Sequence, residues 1–278
     1  MKTRIITAVV GILVLIGVLF TFDTMVFNLV VAAITLIAIH EIYTALGFDK
    51  KDWLLYVVTV PYTLLIMLSS YSVCRALVMP ASFLLVLFYA IYLVVRNGTV
   101  SFAKTSGLVM FSGIVIFCFY SFVRLKELLP VEEYGYDAIF FILLSLCFAW
   151  GGDTCAYFAG RAFGKHKLCP VVSPKKTVEG AVGGFAGAVV CSVLYGALLQ
   201  FAFRWQVSYA ALALYGALGS VVSQLGDLSF SYIKREYGIK DFGNIFPGHG
   251  GVLDRFDSVI FCAPLIEILI HWLPAVSI

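Results

Sequence analysis

The chain is a succession of long apolar runs separated by short polar segments. A run of about 18 or more apolar residues is long enough to cross the hydrocarbon core of a bilayer as a helix. The runs do not alternate between apolar and polar positions, as the strands of a membrane barrel would. We therefore predict nine membrane-spanning helices, at about residues 5–21, 26–47, 53–71, 76–95, 107–128, 138–159, 178–203, 208–232 and 258–276.

The composition supports this prediction. Hydrophobic residues make up 62% of the 278 residues, charged residues make up 13%, and the mean hydropathy is +0.99. Soluble domains are typically about 45–50% apolar and about 25% charged, so a soluble fold of this size is excluded. The seven cysteines are scattered and form no CxxC pair, so neither a zinc site nor a disulfide framework is expected. The predicted fold class is an all-α polytopic membrane protein with about nine transmembrane helices.

The distribution of basic residues predicts the orientation. With the N-terminus in the cytoplasm and nine spans, the C-terminus lies on the outer side, and 15 of the 19 lysines and arginines are cytoplasmic. The exceptions are Arg75, Arg124, Lys126 and Arg204. Cytoplasmic loops of membrane proteins carry an excess of basic residues, so this orientation is preferred over its inverse.

Two cytoplasmic loops, residues 160–177 and 233–257, are longer and more polar than the others. Both follow residue 135, and the half of the chain before them has short connections and few polar groups. We therefore divide the chain into N-terminal scaffold helices, residues 1–135, and a C-terminal catalytic half, residues 136–278.

Acidic residues within the predicted spans suggest a structural or functional role, because inserting each charged side chain into the bilayer costs about 2.5–3.5 kcal/mol. Asp227 lies about two turns before the cytoplasmic end of its span and is predicted to be functional. Glu267 is followed four residues later by His271, so a local pair on one helical face is expected. Glu41 has two open interpretations: it faces the same cytoplasmic cavity as Asp227, or it reaches the headgroup region.

Glycines surround the acidic residue Asp153. The pair Gly151 and Gly152 precedes it, and small residues permit the close helix approach that would bury the carboxylate among its neighbours. Span seven carries glycines at four-residue spacing, for which tight helix packing is the better interpretation. These glycines are Gly180, Gly183, Gly184 and Gly187.

The start of span seven has the features of a phosphate-binding site. Pro174 excludes a continuous helix, and Thr177 is the expected N-cap. A helix N-terminus with nearby lysines suits a phosphate group. Positive-inside topology alone would explain basic character, but not the clustering of Ser173, Lys175, Lys176, Thr177 and Glu179.

The densest polar segment is residues 231–257, which hold four cations, three aspartates, a histidine and a Pro-Gly-His-Gly-Gly turn. If this segment enters span nine as a helix, Asp254 and Asp257 share one face. Carboxylates together with cations suit a magnesium and phosphate centre. The turn's glycines permit close approach to a ligand and unusual backbone conformations. His249 either donates to a phosphate oxygen or holds the turn, and both interpretations stay open.

The same segment resembles the signature of the phosphatidate cytidylyltransferases, also called CDP-diacylglycerol synthases. The segments around Asp153, SPKKTVEG and SQLGD are also similar, so the resemblance covers roughly the C-terminal 130 residues. The matching signature residues are Ser231, Ile233, Lys234, Arg235, Lys240, Asp241, Gly243, Phe246, Pro247, His249, Gly250, Gly251, Val252, Asp254, Arg255, Phe256 and Asp257.

The resemblance implies transfer of a cytidylyl group from CTP to phosphatidic acid, giving CDP-diacylglycerol and pyrophosphate. It also implies dependence on Mg²⁺, use of K⁺ beside it, and an integral protein of a bacterial inner membrane with its active site facing the cytoplasm. The partners are then CTP, phosphatidic acid and the bilayer, with no nucleic acid. Whether the chain forms a homodimer is left open.

Our hypothesis for the site assigns roles to the polar residues. Asp227 and Asp254 are the expected metal ligands, supported by Asp257 or Asp241. The expected catalytic set is Asp227, Asp254, Asp257, Lys240, Asp241 and His249. The expected substrate-binding set is Ser173, Lys175, Lys176, Thr177, Lys234, Arg235, Arg255 and Asp153.

Three other functions would make different demands on the sequence. A CDP-alcohol phosphotransferase would need a DGxxARxxxxxxxGxxxDxxxD pattern, which the sequence lacks. A polyprenol kinase stays open on chemical grounds, because the same cations could bind ATP. A transporter would place Asp153, Asp227 and Glu41 near the bilayer middle in two repeated halves, whereas the polar groups gather at one face.

Overall fold

The computed structural model describes residues 2–96, 99–129, 131–134, 137–248 and 250–277. His249 lies outside these residues, so neither interpretation of its role is addressed. The described chain forms two compact units. The first comprises residues 1–127 and 241–254, and the second comprises residues 128–240 and 255–278. The prediction of a scaffold half and a catalytic half divided after residue 135 stays a prediction.

The first unit is built from five long helices and the returning segment 241–254. The helices are α1 (Lys2–Phe20), α2 (Met25–Ala45), α3 (Trp53–Met67), α4 (Ser72–Val95) and α5 (Phe102–Leu128), with a short 3₁₀ helix at Lys50–Asp52 before α3. Its core is mostly apolar, but polar side chains also lie fully inside it. Asn28 of α2 is one of them, and its amide donates to the Met67 carbonyl at 2.8 Å. Such hydrogen bonds hold helices together where no water is present.

The second unit contains the remaining helices and four short strands. Its helices are α6 (Val131–Tyr134), α7 (Ala138–Leu146), α8 (Gly152–Phe163), α9 (Val178–Phe203), α10 (Tyr209–Glu236), α11 (Leu253–Phe256) and α12 (Cys262–Trp272). A π-helical segment, Cys147–Gly151, joins α7 to α8, so that one continuous apolar helix runs over Ala138–Phe163. The unit boundary falls inside α11.

Two antiparallel strand pairs complete the second unit, and the sequence analysis predicted neither. Strand β1 (Lys167–Cys169) pairs with β2 (Ser173–Thr177), and β3 (Gln206–Val207) pairs with β4 (Val276–Ser277). Strands this short carry no recognisable apolar–polar alternation, so the sequence pattern gives no signal for them.

The predicted close packing of α9 is confirmed, and its partner is α8. A Cβ atom on Gly184 would lie 2.9 Å from the Ala156 Cβ, and one on Gly180 would lie 3.0 Å from the Ala156 carbonyl oxygen. Added Cβ atoms on Gly183 and Gly187 would overlap Ala159 and Cys155. The two helices can therefore approach closely only because these positions lack side chains.

The helical character of the chain is confirmed. Each predicted run coincides largely with a helix, and in the described part of the chain six helices are long and apolar enough to cross a membrane by length and composition. Shorter apolar helices are Val9–Phe20, Trp53–Met67 and Cys262–Trp272. Large apolar side chains on the outside, such as Met79 and Phe201, are at least 80% exposed, as expected for lipid-facing positions. The number nine and the orientation stay predictions.

Candidate active site

An ion pair between Lys176 and Asp227 stands in the second unit. Lys176 Nζ lies 2.5 Å from Asp227 Oδ2, and the two side chains are 28% and 24% exposed. β2 supplies the lysine and α10 supplies the aspartate. Because both groups keep contact with solvent, their attraction is screened, and either can change partner when a charged ligand arrives.

The β1–β2 hairpin places Lys176, and two side chains outside the hairpin fix its ends. The Glu179 carboxylate accepts hydrogen bonds from the backbone N–H groups of Lys165 and His166, at 3.0 and 3.2 Å, and lies 2.6 Å from the His166 ring. Arg235 Nε of α10 donates to the Val172 carbonyl at 3.3 Å. The hairpin is therefore tied to both helices that flank the ion pair.

Thr177 is the N-cap of α9, as predicted. Its side-chain oxygen accepts a hydrogen bond from the Gly180 N–H at 3.1 Å. The neighbouring Lys175 is exposed, and Ser173 is partly buried. Binding of substrate by Ser173, Lys175, Lys176 and Thr177 stays a prediction. The cap fixes the residue at which β2 ends and α9 begins, and Lys176 directly precedes this residue.

The cytoplasm-directed end of α10 in the predicted orientation carries two further polar groups of the site, Ser231 and Lys234. Ser231 Oγ donates to Asp227 Oδ1 at 3.2 Å. Lys234 Nζ lies 3.8 Å from Asp257 Oδ2, and Lys234 is only 8% exposed. A buried ammonium requires a nearby anion, and Asp257 supplies one for Lys234.

Asp153 of α8 also belongs to this group. Its carboxylate lies near the Ser258 side chain and interacts electrostatically with Asp227, Lys176 and Arg255. The residue as a whole is exposed, but its carboxylate faces the polar groups named above, so burial of the carboxylate by glycine packing stays a prediction. The preceding glycines do pack closely, since a Cβ on Gly151 would lie 2.8 Å from the Cys191 Sγ.

We call Asp153, Lys176, Asp227, Lys234 and Asp257 the charge cluster. It brings together three carboxylates and two ammonium groups from α8, β2, α10 and the turn after α11. Such a cluster can bind an anion through its cations, and a metal ion through its carboxylates.

Asp257 does not lie on a helix with Asp254. α11 ends at Phe256 and α12 begins at Cys262, so the condition for a shared helical face is not met. The Asp257 carboxylate accepts a hydrogen bond from the Ser258 N–H at 2.9 Å. This local bond offers the backbone an alternative to helix and accounts for the turn.

Asp254 belongs to the first unit, where it closes the segment 241–254. Its Oδ2 atom accepts hydrogen bonds from the N–H groups of Phe242 and Gly251, at 2.8 and 3.0 Å, and the residue is 7% exposed. The structure therefore gives Asp254 a loop-closing role. Metal ligation by Asp254 stays a prediction.

Glu41 reaches the same segment from α2. Its Oε1 and Oε2 atoms accept hydrogen bonds from the N–H groups of Val252 and Leu253, at 2.8 and 2.9 Å. Glu41 is 3% exposed, so of its two open interpretations the one that places it in the headgroup region is excluded. Sequence reasoning could not have found these partners, which lie more than 200 positions away in the chain.

The remaining predicted residues lie at the surface. Lys240, Asp241 and Arg255 are exposed. Arg235 is exposed too, and besides Val172 it donates to the Ile239 carbonyl at 3.3 Å. Their assigned roles in catalysis and binding stay predictions.

Gly226 is a residue of the site that the sequence analysis missed. A Cβ atom there would overlap the carbonyl oxygen of Asp257 and lie 2.8 Å from the Phe261 ring. The absent side chain lets α10 approach the turn that carries Asp257. The signal was its place in the SQLGD segment, directly before Asp227.

Within the described residues, no group of three or more His, Cys, Asp or Glu side chains converges as ready-made metal ligands. Mg²⁺ does not need such a group, because it commonly takes one or two carboxylates together with substrate phosphate oxygens and water. Asp227 already holds a cation, the Lys176 ammonium, against its Oδ2 atom. The donor set of the charge cluster is therefore compatible with Mg²⁺.

The fold and the site together define a polytopic helical membrane protein with a cluster of mixed acidic and basic side chains. The sequence profile described as "Cytidylyltransferase family" matches residues 2–273. The chain belongs to this family.

Several curated relatives named phosphatidate cytidylyltransferase are similar to it. The Bacillus subtilis protein is 38% identical over 185 residues, which are 66% of this chain and 65% of that relative. The Staphylococcus haemolyticus protein is 45% identical over 134 residues, 48% of this chain and 50% of the relative. The Brucella suis protein is 43% identical over 147 residues, 53% and 52% of the two chains. The alignments thus span from half to just under two thirds of these relatives' length.

The Gly226→Ala variant tests the close approach at the charge cluster. Alanine is intrinsically more favourable than glycine inside a helix, by about 1 kcal/mol, so any loss of stability must come from the new contact with Asp257 and Phe261. We expect a net destabilisation of about 1–3 kcal/mol, seen as a lower thermal unfolding midpoint in detergent.

Gly113→Ala on α5 is the matched control, because nothing lies within 4 Å of a Cβ at that position. It should leave the unfolding midpoint unchanged or raise it slightly. If Gly226→Ala behaves like Gly113→Ala, the close approach at Asp257 is not a constraint on the fold.

Proposed function

We propose that this protein transfers the cytidylyl group of CTP to phosphatidic acid, producing CDP-diacylglycerol and pyrophosphate. The observation that carries the proposal is the charge cluster, whose Lys176–Asp227 pair stands in the part of the chain that resembles the family signature. Membership of the cytidylyltransferase family and the names of the relatives support the choice of CTP and phosphatidic acid.

The proposed reaction needs positioning more than activation. The phosphate oxygen of phosphatidic acid attacks the α-phosphorus of CTP, and the bond between that phosphorus and the bridging oxygen of the β-phosphate breaks. A phosphomonoester is already a competent nucleophile, so no side chain has to remove a proton from it. The enzyme must hold two anions in line and offset their repulsion.

The cations of the second unit meet this requirement. Lys176 and Lys234 are held by Asp227 and Asp257, so each is oriented before substrate binds. We propose that Lys176 exchanges its carboxylate partner for a phosphate oxygen when CTP arrives. Further cations in the proposed phosphate-binding set are Lys175, Arg235, Lys240 and Arg255.

We propose Mg²⁺ as the cofactor, held by Asp227 and the substrate phosphates, with Asp254 as the second protein ligand and Asp257 or Asp241 in support. When bound, it would neutralise charge on the departing pyrophosphate. In this scheme Ser231 orients Asp227 through its 3.2 Å hydrogen bond, and Asp153 and Ser258 complete the polar wall of the cluster. K⁺ is proposed beside Mg²⁺ from the family resemblance alone, with no residue assigned to it.

We propose nine membrane spans in a bacterial inner membrane, with the N-terminus and the charge cluster on the cytoplasmic side. This orientation is supported by the placement of basic residues and by the location of CTP, which is a cytosolic nucleotide. The lipid substrate would reach the site from the inner leaflet.

Pyrophosphate release by the detergent-purified protein tests the reaction. With phosphatidic acid and Mg²⁺, CTP should support release and ATP should not. Asp227→Asn should lower kcat by about 100-fold or more, because it removes a charge from the proposed metal site. Its circular dichroism should match the wild type.

Two outcomes would contradict the proposal. Activity with ATP that transfers its terminal phosphate to a lipid would favour the polyprenol kinase alternative. Wild-type turnover in Asp227→Asn would remove Asp227 from the site.

Sealed membrane vesicles test the orientation, because CTP does not cross a bilayer. Inverted inner-membrane vesicles expose the cytoplasmic face and should form CDP-diacylglycerol from added CTP without detergent. Right-side-out vesicles should do so only after permeabilisation. Equal activity in intact right-side-out vesicles would contradict a cytoplasmic site.

A further inference from the structure

We propose that Glu41 is a positioning residue of the enzyme, which fixes the backbone of segment 241–254 in the form that cytidylyl transfer requires. This inference rests on the proposed function, because segment 241–254 contains the predicted catalytic residues Asp241 and Asp254. It gives α2, otherwise a scaffold helix, a direct part in organising the active site.

Consecutive backbone donors in the first unit are all satisfied by carboxylates. The N–H groups of Val252 and Leu253 donate to the two oxygens of Glu41, and the N–H of Gly251 donates to Asp254 Oδ2. Each N–H group that meets a carboxylate makes a charge-assisted hydrogen bond, which is stronger than a bond between neutral groups. The backbone leading into Asp254 is therefore held at three successive positions.

This arrangement also changes the interpretation of the glycine-rich turn. Successive N–H groups beside glycines would ordinarily suggest a cradle for a phosphate of the substrate. Here two carboxylates of the protein, Asp254 and Glu41, occupy the donors at residues 251–253, so these three N–H groups are not available to a substrate phosphate. The cations of the charge cluster are the proposed phosphate-binding groups.

Two glycines make room for the Glu41 carboxylate. A Cβ atom on Gly243 would lie 2.6 Å from Glu41 Oε1, and one on Gly251 would overlap the same carboxylate. Neither glycine has the positive φ of Gly248 (+78°) and Gly250 (+88°), so close approach, not backbone conformation, requires glycine at these two positions.

The rest of the segment closes on itself. The Phe246 N–H donates to the Gly250 carbonyl at 2.9 Å, and Asp254 joins the two ends through Phe242 and Gly251. Glu41 is a side chain from outside the segment that holds its C-terminal end. A defect at Glu41 should therefore displace the backbone beside Asp254 while leaving the turn intact.

The Glu41→Gln variant tests the inference with the smallest change in shape. An amide can accept from one of the two N–H groups, but its own NH₂ faces the other, so one buried donor loses its partner. We expect kcat to fall about 10- to 100-fold. The KM for CTP should change by less than about threefold, because the triphosphate is bound by other residues.

Hydrogen exchange gives a readout that does not depend on activity. In Glu41→Gln the amides of Val252 and Leu253 should exchange faster than in the wild type, while the amides of α2 should be unchanged. The variant Gly243→Ala should produce the same pattern, because it displaces the carboxylate without removing it.

Asn28→Ala is the matched control for a purely structural role. Asn28 lies on the same helix, is equally buried, and also bonds a distant backbone group, the Met67 carbonyl. It should lower the thermal unfolding midpoint without changing kcat of the folded enzyme or exchange at Val252 and Leu253.

The outcomes separate the two proposals. If the wild type is inactive with CTP, and the amides of Val252 and Leu253 still exchange faster in Glu41→Gln, the proposed reaction is refuted. The structural role of Glu41 in holding segment 241–254 is then retained. An active wild type with unchanged kcat or unchanged exchange in Glu41→Gln overturns the positioning role. A loss of thermal stability alone, as in Asn28→Ala, overturns it as well.

Discussion

The compensation of carboxylates in a very apolar chain is the constraint on which the rest of the structure depends. An isolated carboxylate transferred into a medium of low polarity loses far more hydration energy than folding can supply, so each one needs partners. The two units answer this need differently. In the first, Glu41 and Asp254 are compensated by backbone N–H groups. In the second, Asp227 and Asp257 are compensated by lysines.

The two kinds of partner differ in whether a carboxylate can exchange them for a ligand. Backbone donors cannot move away from Glu41 without disrupting segment 241–254, so that carboxylate acts as a permanent anchor. Lys176 has a flexible stem and keeps contact with solvent, so its pairing with Asp227 can open when a substrate phosphate competes for the ammonium. The chain thus combines a rigid support with a charge cluster able to change partners, and the proposed transfer between two anionic substrates requires both.

Much of the helical architecture was predictable from local sequence. Long apolar runs fixed the helices, Thr177 before Val178 marked a helix start, and the spacing of Gly183 and Gly187 predicted close packing. Each of these depends on neighbours a few positions apart. The β1–β2 hairpin was not predictable, because its strands lack alternation and are held by Glu179 and Arg235 from other elements.

The parts of the site that escaped prediction depend on distant contacts. Nothing near Glu41 in the sequence reveals that it bonds Val252 and Leu253. The glycines before Asp153 pack closely, as expected, but local sequence does not reveal that its carboxylate faces Lys176 and Asp227 from other elements. Gly226 was overlooked since its constraint, the Asp257 backbone, comes from a turn that interrupts the expected helix.

The most direct measurement of the central claim follows the label of radioactive CTP into lipid. With phosphatidic acid present, label in the α-phosphate of CTP should appear in the lipid product, and label in the γ-phosphate should leave entirely as pyrophosphate. Label from the γ-phosphate in the lipid, with none from the α-phosphate, would show phosphoryl transfer and contradict the account.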